Sequence, residues 1–264
     1  DYRDPSRLAS LGFTDVVISD QMSGCLFGVT PELVQRIDSA IDSGLDVWLM
    51  DDLFTLPADS EAGCPGRDDS WEITANAIRE VIDSAPQIRG LVFRYGETFD
   101  SPDPTLKRVD LLRCECIHCS SMDGLTRRRK VVEMLESVVC REMGKRCILR
   151  LWDLTEDGVH ANRILQSKVL TKGAGDPRFF VAVKHTLTDY WRHQPWNPTI
   201  PVEGPPRLIE FQCEREYEFI GLVPNWQGPE WSQGPIECGE RGWTGLANVR
   251  PQDWAGSWII PLGG

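Results

Sequence analysis

Two short apolar runs, 179–183 and 208–211, are each followed at once by side chains able to do chemistry. After the first come Lys184, His185, Asp189, Arg192 and His193, interleaved with Tyr190, Trp191 and Trp196; after the second come Gln212, Glu214, Arg215, Glu216 and Tyr217. Carboxylates set among aromatic rings suit glycosidic chemistry, in which one acid protonates the leaving oxygen while another carboxylate activates water or attacks. Two other readings stay open. The carboxylates could be plain ion pairs, Asp189 with Arg192 and Glu216 with Arg215, or Asp51, Asp52, His185 and Asp189 could hold a metal in a metal-dependent enzyme.

These residues need elements to carry them. Apolar or β-branched runs at 13–19, 45–50, 88–95, 147–152, 179–183, 208–211 and 243–249 read as buried strands. Helical signals fall between most of them. Thr30-Pro31-Glu32 gives a cap, a first-turn proline and a first-turn acid, Leu33, Val34, Ile37, Ala40 and Ile41 make one apolar face, and Gly44 ends the helix. Ser70 is expected to cap a helix turning Ile73, Ala77, Ile78, Val81 and Ile82 inward; a helix over 124–143 and one from Thr155 to Leu170 follow. Repeated βα units imply a parallel sheet with right-handed crossovers. The expectation is a single (β/α)8 TIM barrel domain over 1–264, incomplete, with seven strands and the first strand absent, and a Cys-containing loop insert at about 98–122.

Such a barrel gathers its active site where the strands end. The strand ends hold Asp20 and Gln21; Asp51 and Asp52; Arg94, Tyr95 and Glu97; Arg150, Trp152 and Asp153; Lys184, His185 and Asp189; Gln212, Glu214 and Glu216; Asn248 and Arg250. Asp20-Gln21-Met22-Ser23-Gly24 is not the Gly-rich phosphate loop of a doubly wound nucleotide-binding sheet.

A net charge of −12 over 264 residues argues against a nucleic-acid partner. An anionic substrate would need its own cluster of Lys and Arg. No apolar run is long enough for a bilayer, and no signal peptide is visible. The first residues, DYRDP, lack an initiator Met and suggest a processed or partial chain, so an N-terminal segment or a second copy is a candidate to complete the barrel. Nine cysteines do not make a disulfide scaffold at this length. Cys114, Cys116 and Cys119, with His118 among them, are a candidate zinc set lacking a clear fourth ligand, with Cys64 or His118 as options; disulfides and free thiols are the alternatives, and the compartment stays open.

Several islands resemble the catalytic barrel of glycoside hydrolase family 67, the α-glucuronidases. Lys184, Asp189 and Tyr190 match its Lys-x4-Asp-aromatic pattern, and Glu210, Phe211, Gln212, Glu216 and Tyr217 match its Glu-Phe-Gln-x-x-x-Glu-Tyr. Gly245-Leu246-Ala247-Asn248 followed by Asp253-Trp254-Ala255-Gly256 resembles its Gly-Val-(Ala/Ser)-Asn and Asn-Trp-x-Gly, and 8–18 (LASLGFTDVVI) resembles an early strand.

The resemblance implies inverting exo-hydrolysis of an α-linked glucuronic acid or related uronic acid from a polysaccharide fragment such as xylan, without a cofactor. It implies Glu97 as general acid, Asp189 and Glu216 sharing the role of base, and Lys184 on the uronate, with Arg94 and Arg150 or Trp152 near further family cations. Around Glu97 the family's Ser-Glu-Gly-Gln-Pro is Gly96-Glu97-Thr98-Phe99-Asp100 here, which leaves room for a sister family. Tyr95, Trp152, Tyr190 and Trp191 are candidate stacking faces. Glu210, inside an apolar strand, is expected to be buried and hydrogen-bonded or to touch substrate, and His185 to stand in or behind the site. The alternative is a carbohydrate-binding or structural barrel remnant without catalysis.

Overall fold

The computed structural model describes residues 4–19, 28–53, 55–57, 64–95, 106–108, 114, 116–153, 158–170, 175–188, 195–212, 231–232 and 254–260. In chain order the elements are α1 (Pro5–Ser10), β1 (Asp15–Ser19), α2 (Pro31–Asp42), β2 (Asp46–Asp52), β3 (Thr55–Pro57), α3 (Asp68–Ser84), β4 (Gly90–Tyr95), β5 (Leu106–Arg108), α4 (Gly124–Leu135), β6 (Arg146–Leu151), α5 (Arg163–Leu170), β7 (Phe179–Lys184), β8 (Arg207–Gln212) and β9 (Trp254–Ile260). Seven strands hydrogen-bond in the order β1-β2-β4-β6-β7-β8-β9, and β3 and β5 form a separate pair. Each strand of the large sheet lies next to the one that follows it in that sheet's sequence order, with helices between most of them. That is the α/β pattern of an incomplete (β/α)8 barrel. Contacts group the chain into two compact units, 1–149 with 172–179 and 150–171 with 180–264.

In the first unit, β1 pairs with β2 and β2 with β4, all parallel. Thr30 Oγ1 accepts from the Leu33 amide at 3.2 Å, and Gly44, at φ +86°, turns the chain out of α2. Leu33, Ile37 and Ala40 are the buried face of α2, whereas Ile41 lies at its exposed margin. Gly90 opens β4 where no side chain fits: a Cβ there would lie 2.1 Å from the Arg146 carbonyl oxygen. Val47, Leu49, Val92, Phe93, Ile148 and Leu149 are buried along these strands.

Three expectations are corrected in this unit. Helix α3 begins at Asp68, two residues before Ser70, because Asp68 and Asp69 already supply first-turn acids favoured by the helix dipole. Its buried face is Trp71, Thr74, Ala75, Ile78, Val81 and Ile82, and Ile73 is 46% exposed; the 3.6-residue period continued back from Ile78 falls on Trp71 and Thr74 and misses Ile73. The Cys-containing insert is more than loop, since β5 within it pairs antiparallel with β3. Each of these strands has three residues, too few to show a period. The helix expected over 124–143 is present, capped by Asp123, with its last stretch Glu136–Glu142 in π-helical geometry.

In the second unit, β7 pairs with β8 and β8 with β9, again parallel. Helix α5 ends at Leu170 as expected but starts at Arg163, where Asn162 Oδ1 accepts from the Leu165 amide. Thr155 and the expected strand 243–249 lie outside the described residues. Trp254, expected to follow the last strand, instead begins β9. A register shift at Arg207/Leu208 pairs Arg207 with Trp254 and Leu208 with Gly256, so Ala255 is left out of the pairing beside a glycine at φ +150°.

Candidate functional site

The described site residues at the ends of β2 and β4, in the first unit, form a paired charge. Asp52 and Arg94 are register partners, and the Arg94 guanidinium donates to both Asp52 oxygens, Nη2 to Oδ2 at 2.6 Å. Asp51 Oδ1 accepts from the Asp52 amide at 2.6 Å within the last two residues of β2. Tyr95 is buried beside them in sequence.

In the second unit, Arg150 and Glu210 make the same kind of fork. Arg150 Nε donates to Oε2 and Nη2 to Oε1, both at 2.7 Å, with both side chains buried. They stand on β6 and β8, alternate strands whose inward side chains share a layer in a barrel. Lys184, register partner of Glu210, holds its Nζ 3.0 Å from the centroid of the Trp152 ring, a cation–π contact between two buried side chains. Glu210 is therefore the buried, hydrogen-bonded group expected of it.

Beneath Trp152 lies a polar network that the sequence reading missed. The His160 ring meets Trp152 edge-on at 4.9 Å, with Nδ1 3.2 Å from the Leu151 carbonyl oxygen and Nε2 3.1 Å from that of Thr186. Asn197 Nδ2 donates to the carbonyls of His160 and Lys184, and Thr199 Oγ1 donates to that of His160. Burial pushes the His160 imidazole down to about 4 despite the two carbonyls, which favour its charged form. Arg207, also buried, donates from Nη2 to Gln166 Oε1 at 2.9 Å.

His185 lies over an aromatic group, 5.3 Å from Phe211 and 5.6 Å from Trp196 between ring centroids, with Trp231 4.7 Å from Phe211. Trp196 is buried and bridges to Thr186, so it packs rather than offering an open stacking face. Glu97, Asp189, Glu216 and Trp191 lie outside the described residues.

Of the metal candidates, Cys114, Cys116 and Cys119 come together, and Cys64 joins them, all four sulfurs lying within 4.8 Å of one another. Among them, burial pushes Cys64 and Cys119 up, and the S–H contact with Cys64 holds Cys116 below the usual thiol range.

No protein-family model matches this chain, and no curated protein matches it. Solved structures do. An O-GlcNAc hydrolase mutant from Thermobaculum terrenum is 11% identical with a TM-score of 0.55, over 99% of this chain and 52% of that one. A trimodular endoglucanase of the GH5_4 subfamily is 12% identical with a TM-score of 0.53, over 98% and 50%. An endo-β-mannanase/endo-β-glucanase from Prevotella bryantii is 12% identical with a TM-score of 0.52, over 98% and 40%. The chain therefore spans about half the length of these proteins or less, and shares their fold.

Proposed function

We propose that this chain is a glycoside hydrolase that removes an α-linked glucuronic acid, or a related uronic acid, from an oligosaccharide by inversion. The observation that carries the proposal is Lys184 set against the Trp152 ring where β7 and β6 end. A uronic acid offers a carboxylate, and an ammonium at the end of a barrel strand, steadied by the indole beneath it, answers that charge. The fold is shared with hydrolases that act on glycans, and the islands resembling family 67 supply the roles.

Glu97 gives its proton to the leaving glycosidic oxygen as the anomeric carbon–oxygen bond breaks. Asp189 and Glu216 share the proton of the attacking water, whose oxygen forms the new bond on the opposite face. This chemistry needs acid and base about 6.5–9.5 Å apart, room enough for the water. Arg150 and Arg94, forked onto Glu210 and Asp52, serve by holding the strand ends in place.

The test is hydrolysis of short aldouronic acids, with the first anomer released read by proton NMR. Wild type is expected to release the inverted sugar, Glu97→Gln to lose at least about a thousandfold in kcat, and Lys184→Met to raise KM for acidic but not neutral fragments. Turnover of neutral glycans alone would end the uronic acid reading. Binding without turnover by the wild type would favour a sugar-binding remnant.

A further inference from the structure

We propose that Cys64, Cys114, Cys116 and Cys119 form a tetrathiolate zinc site that staples the loop leaving β2 to the loop leaving β4. The Cys64 sulfur lies 3.1 Å from that of Cys116 and 3.3 Å from that of Cys119, and no pair among the four exceeds 4.8 Å. Zinc bonded tetrahedrally to four thiolates at about 2.3 Å sets the sulfurs about 3.8 Å apart, inside this range. All six separations are short together, which one central cation requires and two disulfides do not. An all-sulfur tetrahedral set with no open position suits a structural ion.

The backbone around the sulfurs is held from outside the cluster. Cys64 begins a turn closed by the Arg67 amide on the Cys64 carbonyl, and Cys116 begins another closed by the Cys119 amide on its own carbonyl. The two turns touch: a Cβ on Gly66 would stand 2.5 Å from the His118 carbonyl oxygen, so only glycine fits there. Arg127 of α4 donates to the carbonyls of Cys114, Cys119 and Met122 at 3.0, 2.6 and 3.1 Å. Trp71 of α3 donates from Nε1 to the Pro65 carbonyl at 2.9 Å. Two helices thus converge on a sulfur cage whose members come from distant parts of the sequence, and the His118 side chain, an alternative fourth ligand, is exposed outside it. The ion would close the segment that carries the β3–β5 pair without touching the large sheet.

The full chain, purified without chelator, is expected to carry about one zinc per molecule by elemental mass spectrometry. Stripped and kept reduced, it is expected to develop a sulfur-to-cadmium charge-transfer band that saturates at one equivalent of Cd²⁺. Cys64→Ser and Cys116→Ser are expected to lower zinc content at least tenfold, while Cys140→Ser, a buried thiol outside the cage, leaves it unchanged. Iron in place of zinc, no cadmium band in the reduced wild type, or disulfides among these four residues by intact mass and peptide mapping would overturn the proposal. The wild-type measurements decide it even where a variant fails to fold.

Discussion

Arg150 and Glu210 are 5% and 0% exposed, and burying either charge alone would cost several kcal/mol. Their two 2.7 Å bonds offset that cost as a pair, so removing one partner is worse than removing both. Arg150→Met and Glu210→Leu are each expected to lose about 3–5 kcal/mol in urea unfolding, and the double variant to lose less than either. Simple additivity would show the pair to be uncoupled. His160 gives a pH signature instead. Its folded pKa is pushed down by burial to about 4, so between roughly pH 6.5 and 4 the unfolded chain binds the extra proton and acid destabilises the fold. The stability of wild type relative to His160→Gln is expected to be full above pH 6.5 and to fall by up to about 1.4 kcal/mol per pH unit on acidification. Wild type gaining on the variant in acid would mean that the Leu151 and Thr186 carbonyls hold a charged ring.

At the scale of elements, what was legible followed from local rules. Thr30 before Pro31 and Glu32, with Gly44 after the last turn, bounded α2 because caps and left-handed exits depend on a few adjacent residues. The strands that carry Arg94, Arg150 and Lys184 showed as apolar runs because both of their faces are buried. What was not legible depended on distant partners. Ile73 looked like core until Trp71 and Thr74 took the buried face, and the start of β9 at Trp254 is set by its pairing with Arg207 of β8. Cys64 is far in sequence from Cys114, so it could be named as an option for the fourth position beside His118 but no spacing rule could choose between them. The His160 network was invisible for the same reason, since its partners are mostly backbone carbonyls, which every residue has.

At the scale of the whole molecule, the net charge and the proposed substrate pull against each other. A chain carrying −12 repels an acidic sugar at a distance, while Lys184 attracts it at contact. Salt separates the two effects by range, because the screening length falls from about 30 Å at 0.01 M to about 10 Å at 0.1 M. The summed repulsion is lost first, and a buried contact is screened least. For an aldouronic acid, kcat/KM is therefore expected to rise severalfold over that interval with kcat unchanged, and for the methyl ester of the same fragment to stay flat. A fall with salt would mean that cations around the site dominate the approach, outweighing the acidic surface. No difference between acid and ester would mean that the carboxylate is not read at all, and Lys184 would then be packing against Trp152 for stability rather than recognition.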